Sequence, residues 1–223
     1  DVHDFLAALF TALDTEDPAD KPRHLASFPY VNGRLFTLSA GLEVPTFTKA
    51  ARERLIELGT LNWSEINPDI FGSMFQAVMD ATERRNLGAH YTSEANILKA
   101  LGPLFLDELH AMREAARGNK NRLQQFLDLL PRLRFLDPAC GSGNFLLLAY
   151  RELRRLELDA LAEQQKGQQV LDVAHLIRVN VGQFYGIEYD EFPAQIARVA
   201  MWLADHQANI EASRTLGQNF VTY

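Results

Sequence analysis

With 22 basic residues against 29 acidic ones, this 223-residue chain is short of positive charge, and it holds a single cysteine. One cysteine, Cys140, cannot form an internal disulfide, so a disulfide-stapled scaffold is excluded and a reducing, cytoplasmic setting is expected. No apolar run approaches the roughly 20 residues that a membrane-crossing helix needs, so no membrane partner is expected. Asp1 to Asp4 is acidic and polar, so no signal peptide is expected there. The histidines, His90 in particular, have no Cys or His neighbours at zinc-like intervals, and no structural metal is expected. The net charge of −7 is the most telling shortage. Phosphate contacts need Lys and Arg, so either nucleic acid is not a partner or the gripping surface lies mostly outside this chain. We take the second reading.

The length suits one domain with a sizeable core plus a small appendage. Up to about residue 80 the pattern is helical and broken. Val2, Phe5, Leu6, Leu9, Phe10 and Leu13 recur at helical spacing, then Pro18, Pro22 and Pro29 interrupt, and Asn32-Gly33 signals a turn. Two more helices are expected, over Thr48–Leu58 and Asp69–Arg85. From about Gly88 the chain changes character. A helix is expected over Glu94–Phe105, with Ile97, Leu98, Leu101, Leu104 and Phe105 on its apolar face. After the polar break Gly118-Asn119-Lys120-Asn121, another runs from Leu123 to Leu130 and stops at Pro131.

Next comes the most informative stretch. Leu133–Leu136 is short enough for a buried strand, and Phe145 begins a long helix ending near Gln165. Between them stands Asp137-Pro138-Ala139-Cys140-Gly141-Ser142-Gly143-Asn144. A strand, a glycine-bearing turn and a helix together bring backbone amides close to a ligand. Gly141 and Gly143 allow a sharp turn and a close approach, although a bare Gly-x-Gly needs no ligand at all. Asp137 adds chemistry. Its carboxylate repels nucleotide phosphates and attracts a cationic group. S-Adenosylmethionine, with its ammonium and its cationic sulfur, fits that preference.

A second strand, Gln183–Glu188, ends on another carboxylate and feeds a helix over Glu191–Gln207. An acid at this strand tip accepts hydrogen bonds from ribose hydroxyls in dinucleotide folds, and Tyr189 beside it can lie against an adenine ring. The separation from the glycines is roughly twice the usual ~20 residues, so spacing alone is weak support. A solvated strand end is the plain alternative. Asp190 sits where a helix N-cap belongs, with Pro193 in the first turn. Ile196, Val199, Ala200 and Leu203 are expected to pack on the sheet. The mixed charges of Arg151-Glu152-Leu153-Arg154-Arg155-Leu156-Glu157 are expected on a solvated face. Thr92 or Ser93 either caps the following helix or, at a helix N-terminus with spare amides, holds a ligand carboxylate.

Asp137 to Phe145 closely resembles the first motif of amino-methylating DNA methyltransferases, and Gly186-Ile187-Glu188 resembles their second. Gly88 to Leu98, including Tyr91 and Thr92, is similar to their tenth motif, and the order tenth, first, second is that of the gamma group. The run from Phe71-Gly72-Ser73 through Tyr91-Thr92-Ser93 resembles the MmeI-like type II restriction–modification enzymes, adenine-specific proteins that join an endonuclease, a helical connector, a methyltransferase and a target-recognition domain. The resemblance implies a helical connector over 1–80, then over 81–223 the first part of a Rossmann-like α/β methyltransferase fold. It implies S-adenosyl-L-methionine as cofactor, held by Tyr91, Thr92, Asp137, Pro138, Ala139, Cys140, Gly141, Ser142, Gly143, Asn144, Phe145, Glu188 and Tyr189. It implies double-stranded DNA, the remaining methyltransferase, the endonuclease and the target-recognition region as partners in a longer parent.

The family activates adenine's poorly nucleophilic amine with an Asn-Pro-Pro-aromatic motif that also stacks on the flipped-out base. That motif does not occur in this sequence. Asn67-Pro68-Asp69 lacks the second proline and lies ahead of the glycine turn. No catalytic residue is therefore assigned, and the chain alone is expected to be inactive. With two strands in sight, self-association or cover from Asn219–Tyr223 is expected, which sedimentation would detect. Cys140 as a ring-carbon methylation nucleophile is disfavoured, because that cysteine belongs to a Pro-Cys loop elsewhere. A protein-glutamine or RNA methyltransferase, and a non-catalytic interaction module keeping the fold, are the competing readings.

Overall fold

The computed structural model describes residues 1–31, 36, 44–62, 70, 92–166 and 176–216. The Asn32-Gly33 turn, nearly all of the Asp69–Arg85 helix, the Asn67-Pro68-Asp69 stretch, Gly88–Tyr91 and the Asn219–Tyr223 tail lie outside them, as does the boundary near residue 80. The chain divides into two compact units, 1–65 and 66–222, with Tyr223 grouped with the first.

In the first unit, α1 (Val2–Leu13) begins with a capping box in which the Asp1 side chain accepts from the Asp4 amide and the Asp4 side chain accepts from the Asp1 amino group. The proline-broken stretch folds back on α1: the Val31 amide donates to the Leu13 carbonyl at 2.8 Å. Lys21 is buried and donates through Nζ to the Phe28 carbonyl at 2.8 Å. Helix α2 (Lys49–Leu58) is capped by the Thr48 side chain, which accepts from the Ala51 amide.

The second unit is mostly helical, with a two-stranded parallel sheet. Helix α3 (Glu94–Leu101) does not end at Phe105. It passes through a π-helical turn, Gly102–Leu106, into α4 (Asp107–Ala116). Pro103 has no amide hydrogen to give the carbonyl four residues back, and the turn widens around it. The wider turn shifts the phase of the apolar stripe. Leu106 and Leu109 therefore turn inward, while Leu104, expected on the buried face, is 72% exposed.

Helix α5 (Lys120–Leu129) starts at Asn119, whose Oδ1 accepts from the Asn121 and Arg122 amides. Strand β1 (Phe135–Asp137) pairs in parallel with β2 (Phe184–Gly186), in the register Phe135–Phe184, Leu136–Tyr185, Asp137–Gly186. Phe135 and Phe184 stack at 4.9 Å, and Tyr150 meets Phe184 edge-on at 5.4 Å. That side of the sheet packs on helices. On the other side Leu136 is 63% exposed, so β1 is covered on one face only among the described residues, not on both as a buried strand would be.

The helix after the glycine turn, α6 (Asn144–Gln164), lies at the centre of this unit. Leu147, Tyr150, Leu153 and Ala160 are inaccessible on it. Its charges depart from expectation. Arg155 is exposed, but Arg154 and Glu157 are 5% and 1% exposed. Arg154 donates through Nη1 to the Tyr150 hydroxyl at 3.0 Å and the Val179 carbonyl at 3.1 Å, and through Nη2 to Asn209 Oδ1 at 2.7 Å. Tyr150 in turn donates to Asp205. Glu157 Oε1 accepts from the amides of Arg178 and Val179 at 2.7 and 2.9 Å. Burial raises the pKa of this carboxyl, and the two amides beside Arg154 pull it back.

Helix α7 (Glu191–Leu216) runs nine residues beyond the expected end at Gln207. Asn209 is a weak helix former, but Arg154 holds its side chain, and tertiary contact outweighs propensity. Its buried face is also rotated from the expected one. Pro193, Ala197, Ala200, Met201 and Ala204 face inward, while Ile196, Val199 and Leu203 are half-buried. Small residues win because the backbone of the glycine turn comes so close. A Cβ on Gly143 would lie 2.8 Å from the Ala197 Cβ.

Two stability outcomes follow from this packing. Glu157 Oε2 also lies 3.7 Å from Arg154 Nε, so Glu157→Ala leaves a buried Arg154 with a partner removed and should lower unfolding free energy by about 3–5 kcal/mol, whereas Arg155→Ala should change it by less than ~0.5 kcal/mol. Gly143→Ala combines a left-handed φ of +83° with the Ala197 clash, and should destabilise more than Gly118→Ala, whose φ is +72° in open space. Denaturant titration of the four variants checks both orderings.

Candidate functional site

The carboxyl ends of β1 and β2 bring most of the sequence-predicted residues into one cluster. The pairing of the strands continues past their ends. The Ile187 amide donates to the Asp137 carbonyl at 2.9 Å, and the Cys140 amide donates to the Ile187 carbonyl at 3.0 Å. Pro138 and Ala139, both exposed, arch between these two bonds. Asp137 Oδ1 accepts from the Ala139 amide at 3.1 Å, which closes the arch locally.

The glycine turn then leans on the second strand. Gly141, at φ +54°, donates to Glu188 Oε2 at 2.8 Å, and Glu188 Oε1 accepts from the Asp190 amide at 3.0 Å. The Gly143 amide returns to the Cys140 carbonyl at 2.8 Å, and Gly143 caps α6 in the left-handed conformation. Asp190 Oδ1 accepts from the Phe192 amide at 3.2 Å, which makes it the cap expected for α7.

The amides of Ala139, Cys140, Gly141 and Gly143 are thus all bonded within the protein. A phosphate cradle needs several converging free amides, and this turn has these four already committed. It offers two carboxylates instead, at Asp137 and Glu188. Such a rim suits a ligand bearing cationic and hydroxyl groups and disfavours one bearing phosphate. There is room as well: a Cβ on Gly141 would meet nothing within 4 Å, and Tyr189 is fully exposed beside Glu188.

The other predicted residues divide by element. Ser142 and Asn144 are half-buried in the turn and at the start of α6, and Phe145 packs against the core. Thr92 belongs to a different element, the lead-in to α3, and Tyr91 is outside the described residues. Ser93 occupies the N-cap of α3 without a side-chain capping bond. Among the described residues, no group of three His, Cys, Asp or Glu is placed to hold a metal ion.

Cys140 is half-buried between the two acids. Desolvation, then the charges of Asp137 and Glu188, push its thiol up to about 11. The sequence reading missed why Gly186 matters. A Cβ there would sit 2.6 Å from Cys140 Sγ, so the turn can rest on β2 only because position 186 has no side chain. A glycine near the end of an apolar strand is the signal that marks such an approach. Ile187 was likewise unassigned. It acts through its backbone, which side-chain patterning does not report.

Known proteins resemble this chain over most of its length. Residues 113–221 match the family model described as MmeI, DNA-methyltransferase domain. DNA methyltransferase A of Bacillus subtilis (strain 168) is 44% identical over 206 residues, which are 92% of this chain and 23% of that protein. The adenine-specific methyltransferase PglX of Streptomyces coelicolor is 36% identical over 72 residues, 32% of this chain and 5% of that protein. A solved structure of the type IIL restriction–modification enzyme MmeI in complex with DNA superposes with a TM-score of 0.89 at 53% identity, over 99% of this chain and 30% of that one. The chain thus spans about a quarter of the length of its more similar curated relative and under a third of the solved one. Through the domain formed by residues 113–221, it belongs to the MmeI-like restriction–modification methyltransferase family.

Proposed function

We propose that this chain is the S-adenosylmethionine-binding part of an adenine-specific DNA methyltransferase with a Rossmann-like core, within a longer restriction–modification protein. The observation that carries the reading is the pair of carboxylates flanking a glycine turn in which the amides of Ala139, Cys140, Gly141 and Gly143 are already bonded. When bound, the cofactor supplies the methyl group. Asp137 would hold its ammonium end, Glu188 would accept from the ribose hydroxyls, and Tyr189 would lie against the adenine ring. Gly141 leaves the space for this approach, and Gly143 lets α6 start close beneath it. Thr92 and the first amides of α3 would take the carboxylate of the methionine end, together with Tyr91.

Double-stranded DNA would be the substrate in the parent. The relative that the superposition matches is a DNA complex, and PglX is named adenine-specific, which supports that assignment. With a net charge of −7 and no Asn-Pro-Pro-aromatic motif in its sequence, this chain would leave the DNA grip and the activation of the target amine to other parts of the parent. Cys140 is given no nucleophilic role in this reading, because burial beside Asp137 and Glu188 pushes its thiol up to about 11 and leaves little thiolate at neutral pH.

Calorimetric titration tests the cofactor assignment. S-Adenosylmethionine should bind the chain, Asp137→Ala should weaken it about 10- to 100-fold, and ATP should not compete. A wild-type chain that takes up no S-adenosylmethionine, or binds ATP as well, overturns the reading. Without cofactor, alkylation of Cys140 should be slow at neutral pH and should rise with pH toward a midpoint near 11, not near the ordinary thiol value of about 8.5, as mass spectrometry would follow.

A further inference from the structure

Gly141 stands at the apex of the turn and is held in an unusual way. Nothing packs where its side chain would be, so the residue is not fixed by van der Waals contact there. On one side Cys140 is tied to Ile187 by backbone, and on the other Gly143 is tied back to Cys140. Gly141 itself donates to a side chain from the other strand, Glu188, at 2.8 Å. Glu188 is braced for this by the Asp190 amide on its second oxygen.

Each carboxylate oxygen has two acceptor positions. One on each is used by these amides, which leaves one on each, the number that a ribose diol requires. We propose that Glu188, beyond the sugar role already given to it, is a positioning residue for the glycine turn. The carboxylate sets the Gly141 peptide before any ligand arrives, and the nucleoside end and the turn then answer to the same group. The sugar part of this inference rests on the function proposed above; the positioning part does not. Asp137 has no such reach, since its side chain closes only its own arch at Ala139.

Amide hydrogen exchange on the ligand-free chain, read by NMR, tests the positioning role. Gly141 exchange should rise about tenfold or more in Glu188→Ala, while the Cys140 and Leu147 amides, bonded to backbone carbonyls, keep their protection. Glu188→Asp keeps the charge but shortens the arm, and should also expose Gly141; it carries the test if the alanine variant does not fold. Asp137→Ala should leave Gly141 protected. Wild-type exchange at Gly141 in a folded Glu188 variant overturns the proposal. A parallel S-adenosylmethionine titration separates the two ideas. Glu188-dependent protection without cofactor binding keeps the positioning role and removes the proposed function, and binding with Glu188-independent protection does the reverse.

Discussion

The buried guanidinium of Arg154 is the constraint on which the second unit depends. It reaches from α6 to the Val179 carbonyl ahead of β2 and to Asn209 on α7, and it shares Tyr150 with Asp205. Glu157, one turn further along, takes the amides of Arg178 and Val179. The segment entering β2 is thereby fastened to the helix that leaves the glycine turn. Gln183 adds a second fastening, donating to the carbonyls of Leu130 and Leu133 just before β1. Both strands are positioned by buried polar groups, since a three-residue pair has too few ladder bonds to set its own register.

From that fixed register the site follows. Asp137 lies opposite Gly186, so the chain after β1 emerges beside the chain after β2, and Ile187 can bond both sides of the arch. Gly186 then decides how close the turn lies, and Ala197 decides how close α7 lies to Gly143. Two positions without bulky side chains bring Glu188 within reach of Gly141. Larger residues at either would move the second carboxylate away from the turn.

Much of this was readable in the residues. The strand, turn and helix around Asp137–Phe145, the acid placed just past the second strand, and the Asp190 cap all have local causes: glycine's missing Cβ, a carboxylate near a strand tip, an oxygen that accepts from a first-turn amide. What was misread had distant causes. Leu104 faces outward because Pro103 widens a turn. Arg154 and Glu157 look like surface charges by composition, but each is matched by groups more than twenty residues away. The inward stripe of α7 is mostly alanine, with Ala200 buried as expected but Ile196, Val199 and Leu203 only half-buried, because close helix approach favours small residues over apolar bulk.

The sequence by itself determined the chemistry available at the two strand ends: two acids, a flexible turn and an aromatic, since those depend only on which residues stand beside one another. Only the tertiary structure decided that the amides of Ala139, Cys140, Gly141 and Gly143 are bonded within the protein, and that Glu188 accepts from Gly141. Residues 141 and 188 are 47 apart. No local pattern encodes a hydrogen bond between them; it exists because buried polar groups and small side chains bring two short strands into one register.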